Sequence, residues 1–128
     1  MIFTTSITVP AATPQATPLQ QILQLTACTI DHVCVVFPAG CYWLVGLRAT
    51  LREHQLYPTN PDAWLVGNDL NVTFSDATAI EDTPCELLLT AYNLDERYEH
   101  TLYLYLDVSV LSPAGSAPYV PDIYSGYA

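Results

Sequence analysis

Three features of the sequence predict an all-β domain, an antiparallel β-sandwich or jelly roll of about seven or eight short strands with extended N- and C-terminal arms. From Leu102 onward every even position is aliphatic (Leu102, Leu104, Leu106, Val108, Val110), with Tyr103, Tyr105, Asp107 and Ser109 between them. Successive side chains of a strand point to opposite sides of a sheet, so this pattern is a strand with one buried face. Clusters of proline, glycine, asparagine and aspartate recur between short apolar runs, which is the punctuation of turns. Nine tyrosines and ten prolines against five glycines suit β-structure and loops and disfavour disorder, which needs low hydrophobicity. A chain of 128 residues forms one domain and buries roughly two-thirds of its unfolded surface.

Residues 1–18 divide into "MIFTTSITV", a short strand, and "PAATPQATP", whose three prolines make an extended arm with little helical potential. The sandwich itself is expected over 19–111. "LQQILQL" fits a short helix through Leu19, Ile22 and Leu23 or a strand through Leu23 and Leu25; the strand is preferred. A second strand runs from Ile30 to Phe37, where Val33, Val35 and Phe37 alternate, and Pro38 and Gly40 end it. Leu47, Ala49 and Leu51 then alternate with Arg48, Thr50 and Arg52, again one face in and one face out. "HQLYPTNPDA" reads as a loop. "WLVG" and "LNVTF" around "ND" give a hairpin signal, and "SDATAIEDTP" is an acidic loop. "CELLLTAY" and "HTLYLYLDVSV" form the last pair, joined through "NLDERYE". The tail, residues 112–128, carries three prolines and three tyrosines and reads as a second arm, because proline has no N–H to give a central strand.

The charge is lopsided: thirteen carboxylates face three arginines with no lysine, a net charge of −10. Nucleic acids are held chiefly by Lys and Arg, so neither a nucleic-acid surface nor an anionic membrane is an expected partner. No apolar run approaches the roughly 18–20 residues that cross a bilayer as a helix. The first eighteen residues hold no basic residue and no continuous apolar core, so no export signal is expected. On that footing Cys28, Cys34, Cys41 and Cys85 are read as reduced, small apolar residues. Were two to pair, Cys34 and Cys41 are the first candidates, with "FPAG" folding back between them.

The search for chemistry finds little. Cys28, His32 and Cys34 would share one face of a regular strand and form the one cluster with metal-like chemistry, but the spacing differs from zinc pairs, so packing is the expectation. His54 beside Glu53 and His100 beside Glu99 point oppositely in a strand, which suits hydrogen-bonded structural histidines better than acid–base pairs. The carboxylates gather in turns (Asp62, Asp69, Asp76, Glu81, Asp82, Asp95, Glu96) without a fixed calcium-loop spacing. "NVT" at Asn71 fits a glycosylation sequon and is read as strand. The expectation is a non-enzymatic protein without metal or cofactor.

The informative residues are aromatic. Tyr103 and Tyr105 occupy the face of their strand that should be wet, and Trp43, Trp64 and the tail residues Tyr119, Tyr124 and Tyr127 add to them. Exposed tyrosines gain from cross-strand pairing, but tyrosine and tryptophan are also the residues enriched at interfaces. These seven are the interface candidates. The succession "FPAGC", "YPTNPDAWLVGND" and "AYNLDERYEHT" ahead of an alternating strand resembles small β-sandwich structural proteins of tailed bacteriophages and related viruses. That resemblance implies a virion structural protein, assembled in the host cytoplasm, that forms trimers or higher rings and decorates, cements or connects a capsid or tail together with other virion proteins. A carbohydrate- or ligand-binding β-sandwich module, stacking Trp and Tyr on sugars beside acidic loops, is the alternative.

Overall fold

A computed structural model describes residues 1–110. The expected C-terminal arm, with Tyr119, Tyr124 and Tyr127, lies outside the described residues. The chain forms nine strands: β1 (Ile2–Val9), β2 (Leu19–Gln24), β3 (Cys28–Phe37), β4 (Val45–Leu51), β5 (His54–Tyr57), β6 (Leu65–Val66), β7 (Leu70–Ile80), β8 (Glu86–Asn93) and β9 (His100–Val110). There is no helix among the described residues. Two antiparallel sheets result. The first has the order β1-β9-β3-β7; the second has β2-β8-β4-β5, with β6 also pairing β4. The chain passes from one sheet to the other at most of its connections, which is the wrapping of a jelly roll.

The count exceeds the expected seven or eight because the segment read as one loop, residues 54–63, begins with β5; the strand expected in "WLVG" is the two-residue β6. The predicted hairpins are corrected. β6 belongs to the second sheet and β7 to the first, and likewise β8 to the second and β9 to the first. Turn residues announce that a chain reverses, but each of these turns carries it across the sandwich instead of back beside itself. The N-terminal segment is also less detached than an arm: β1 pairs along its whole length with β9, from Ile2 opposite Asp107 to Val9 opposite His100. The proline-bearing stretch after it is the crossover to β2, pinned where Thr13 exchanges backbone hydrogen bonds with Asn93 and where Ala12 N–H reaches the Asp95 carbonyl.

The core follows the period-two pattern. Leu102, Leu104, Leu106 and Val108 of β9 are buried between the sheets with Ile7, Val9, Val33, Val35 and Phe37, facing Val45, Leu47, Leu87 and Leu89 of the second sheet. Each such aliphatic side chain contributes about 1.5–3 kcal/mol by leaving water. A bulge between Ile30 and His32 interrupts β3. It switches the inward set from Cys28 and Ile30 to Val33, Val35 and Phe37. Both open sides of the sandwich are closed by polar bridges. Gln21 of β2 donates to Thr5 Oγ1 and to the Ser6 carbonyl of β1 at 3.2 and 2.9 Å. On the far side Tyr57 of β5 donates its hydroxyl to Asp76 of β7 and packs edge-on against Phe74, centroids 5.0 Å apart.

Candidate functional site

Tyr103 and Tyr105 stand on the outer face of the first sheet, 42% and 43% exposed. The register explains the exposure. Tyr103 lies between Ser6 of β1 and Val36 of β3, and Tyr105 lies between Thr4 and Cys34. Small or slender neighbours on both sides leave the two rings standing above their surroundings. Much of the rest of this face is serine and threonine, with Thr8 and Thr101 hydrogen-bonded at 2.9 Å and Ser109 donating to Asp31, while Ile2 at the β1 end of the face is exposed as well. β9 is an interior strand of the sheet, so the tyrosine pair sits inside the face and away from its margins.

Trp64, another interface candidate, is not among the exposed aromatics. It lies half-buried over the outer face of the second sheet, edge-on to Tyr92 with centroids 4.7 Å apart. The Arg48 guanidinium covers the indole at 3.9 Å and donates to the Ala63 carbonyl at 3.1 Å. Trp64 therefore serves intramolecular packing. The sequence signal that was missed is Gly46 near the start of β4: it pairs with Tyr92, and only a residue without a side chain leaves room for the ring.

Trp43 is the most exposed of the described candidates. Tyr42 and Trp43 are 68% and 57% exposed and are adjacent left-handed residues, with φ of 47° and 63°. That conformation costs a non-glycine residue on the order of 1–3 kcal/mol, so neighbouring groups must hold it. Asn68 Oδ1 accepts the N–H groups of Gly40 and Tyr42 at 3.0 and 2.9 Å. Trp43 N–H reaches the Gly67 carbonyl at 3.2 Å, and Leu44 N–H reaches Cys41 at 2.8 Å.

The groups considered for chemistry are dispersed. The β3 bulge puts Cys28 inside and His32 outside, so Cys28, His32 and Cys34 do not share a face, and no group of three metal-ligating side chains occurs among the described residues. All four cysteines are free thiols; burial pushes Cys28 upward in pKa, with Cys85 and Asp31 adding to the effect, and pushes Cys41 upward as well. His32 meets Ser75 at 3.5 Å and His54 is exposed. His100 pairs with Asp95, not Glu99, at 2.8 Å. Asp95 sits in a turn where its other oxygen accepts the N–H groups of Arg97 and Tyr98. The Arg97 N–H and then His100 hold the Asp95 carboxyl below its ordinary range. A five-residue separation across a turn is not a pattern that strand alternation reveals.

Two shallow grooves mark the outer face of the second sheet. One, of about 340 Å³, is apolar, floored by Ile22 and Leu88 and edged by Pro84, Arg52 and Glu53. The other, of about 470 Å³, is polar and lined by Arg48, Glu53, His54, Gln55 and Asp62 among others.

No family model matches the sequence, and no curated protein is significantly similar to it. Among solved structures, a chain from the X-ray structure of tomato aspermy virus is similar over 92% of this chain and 82% of that one, with 16% identity and a TM-score of 0.47. At that score and identity the likeness carries no functional argument.

Proposed function

We propose that this protein is a virion structural subunit that self-associates through the outer face of its first sheet and decorates, cements or connects a viral capsid or tail. The observation that carries the reading is the exposed Tyr103–Tyr105 pair on an interior strand of the first sheet, with Ser6, Thr4, Val36 and Cys34 as its cross-strand neighbours. Such a face offers apolar area with hydroxyls at its tips, the combination enriched at protein interfaces. Jelly rolls recur in viral capsid and lectin domains alike, so the fold is compatible with this role without selecting it. A ring of copies needs roughly 1,200–2,000 Å² per contact.

Light scattering on the full chain after size exclusion tests it. A discrete trimer or larger ring that falls to monomer in a Tyr103→Thr, Tyr105→Thr variant is the expected result. A wild-type oligomer unaffected by both substitutions would remove this face from the argument.

The polar groove beside Arg48, His54 and Asp62, with the Trp64 ring at its Arg48 end, favours a second reading, a ligand- or carbohydrate-binding module. Binding on a glycan array by a monomeric chain, abolished by His54→Ala in the groove lining, supports that reading over the first.

A further inference from the structure

We infer that the loop end carrying Tyr42 and Trp43 is a docking surface for an arginine-bearing segment of a different protein. Three loops meet there. The Leu94 N–H donates to the Leu44 carbonyl at 2.9 Å, and the Asp69 N–H donates to the Pro38 carbonyl at 3.3 Å. Residues 38–44, 67–69 and 94–99 are thus one surface. Tyr42, Trp43, Leu94 and Tyr98 are all exposed on these loops. Single exposed apolar side chains need no explanation, whereas a group of large ones at one end marks an interaction site. Here the group includes two aromatics held in a strained conformation by Asn68 and Gly67. Strain that a scaffold maintains at an exposed position points to a role for the position.

Charge identifies the occupant. The same loops carry Asp69, Glu96 and Glu99 against Arg97, in addition to Asp95, which His100 engages. Exposed aromatic rings rimmed by carboxylates suit a guanidinium, which stacks on a ring face while its N–H groups reach carboxylate oxygens. The protein already shows the stacking geometry once, with Arg48 over Trp64. A second copy is a poor donor. Its sequence has no lysine. Arg48 is placed on Trp64, Arg52 donates to the Asp82 and Pro84 carbonyls, and Arg97 belongs to this same acidic surface. The partner is therefore a different chain. The inference stands apart from self-association through Tyr103 and Tyr105, and either can fail alone.

Titration calorimetry of the full chain with two synthetic peptides tests it, one alternating arginine with leucine and one alternating lysine with leucine at equal charge. The arginine peptide is expected to bind roughly fivefold to tenfold more tightly than the lysine peptide. Trp43→Gly is expected to erase that difference while melting no lower than wild type, since glycine accepts the left-handed conformation without strain. Trp43→Asn, which also tolerates it, repeats the test with a side chain present. Equal binding of the two peptides would reduce the effect to net charge and overturn the proposal. So would an arginine preference that survives both substitutions, or a drop in melting temperature in both, which would make Trp43 a packing residue.

Discussion

Gly46 and Tyr92 face each other across the β4–β8 ladder, and the tyrosine ring fills the space that a side chain at 46 would need. A β-carbon on Gly46 would lie 2.2 Å from Tyr92 Cε2 and 2.6 Å from Cζ. Trp64 then closes over the ring from the side, so one missing side chain seats a three-residue stack with Arg48 at its end.

Gly46→Ala is accordingly expected to destabilise the fold by about 1–3 kcal/mol, the usual cost of inserting a methyl into a packed site. Thermal unfolding measures it, with a melting point lower by several degrees. Shrinking the ring in Tyr92→Leu should recover part of the loss. A Gly46→Ala protein that melts with the wild type would show that the ring is not seated there.

Asn93 is fully buried and ties three segments together. Its amide donates to the Val9 and Tyr98 carbonyls at 3.2 and 2.9 Å, and its side-chain oxygen accepts the Asp95 N–H at 2.9 Å. Asn93→Leu removes all three bonds and leaves buried backbone groups without partners, at about 1–3 kcal/mol for each such group. Chemical denaturation should show the midpoint moving sharply down.

The Tyr57–Asp76 bridge gives stability a defined pH window. Burial opposes the charged Asp76 carboxylate, but hydrogen bonds from Tyr57, Thr78 and the Ala77 N–H outweigh it and leave the pKa below the ordinary 3.8. A depressed folded pKa means stability that is present above the unfolded value and lost as pH falls through the folded one, so the bridge weakens below about pH 4. Tyr57 shifts the other way: burial first, then the bond to Asp76, raise its pKa above the ordinary 10.0. Its contribution is complete below that value and declines as pH rises beyond it. Melting temperature across pH should therefore fall at both ends, and Tyr57→Phe should flatten the alkaline decline while lowering the plateau.

Deleting residues 112–128 is expected to reduce the assembled fraction while circular dichroism retains the β-sheet signal. Unchanged solution mass after the deletion would take the tail out of the assembly reading.

The fold class was legible because β9 and β3 obey strict alternation over most of their length, and burial enforces that rule wherever one face is dry. Strand partners were not legible. The Gly-Asn-Asp turn at 67–69 has the chemistry of a hairpin, but turn chemistry is local, while the choice of sheet depends on which apolar face must be covered. The β3 bulge was equally silent in the sequence: Asp31 and His32 read as alternating residues, and only pairing against β7 and β9 exposes the slip. Among the aromatics, the outward direction of Tyr103 and Tyr105 was legible, since they fall at the odd positions of β9 and register fixes their face. The packing of Trp64 on Tyr92 was not legible because nothing near Trp64 in sequence reveals Tyr92, twenty-eight residues away. Tyr42 and Trp43 owe their display to Asn68, again a distant residue.

The order β1-β9-β3-β7 has a consequence for synthesis. The last described strand is inserted between the first and the third, and no two neighbours in that sheet are consecutive in the chain. Until residues 100–110 have emerged, β1 and β3 have no common neighbour, and each presents an open edge of the kind that pairs indiscriminately. Pairings this distant in sequence also form slowly. A fragment that stops before His100 can display neither Tyr103 nor Tyr105, nor pair the β3 edge that β9 occupies. Chain completion through Val110 thus decides when the first sheet can close, and a chain that stops short of it keeps the open edges of β1 and β3.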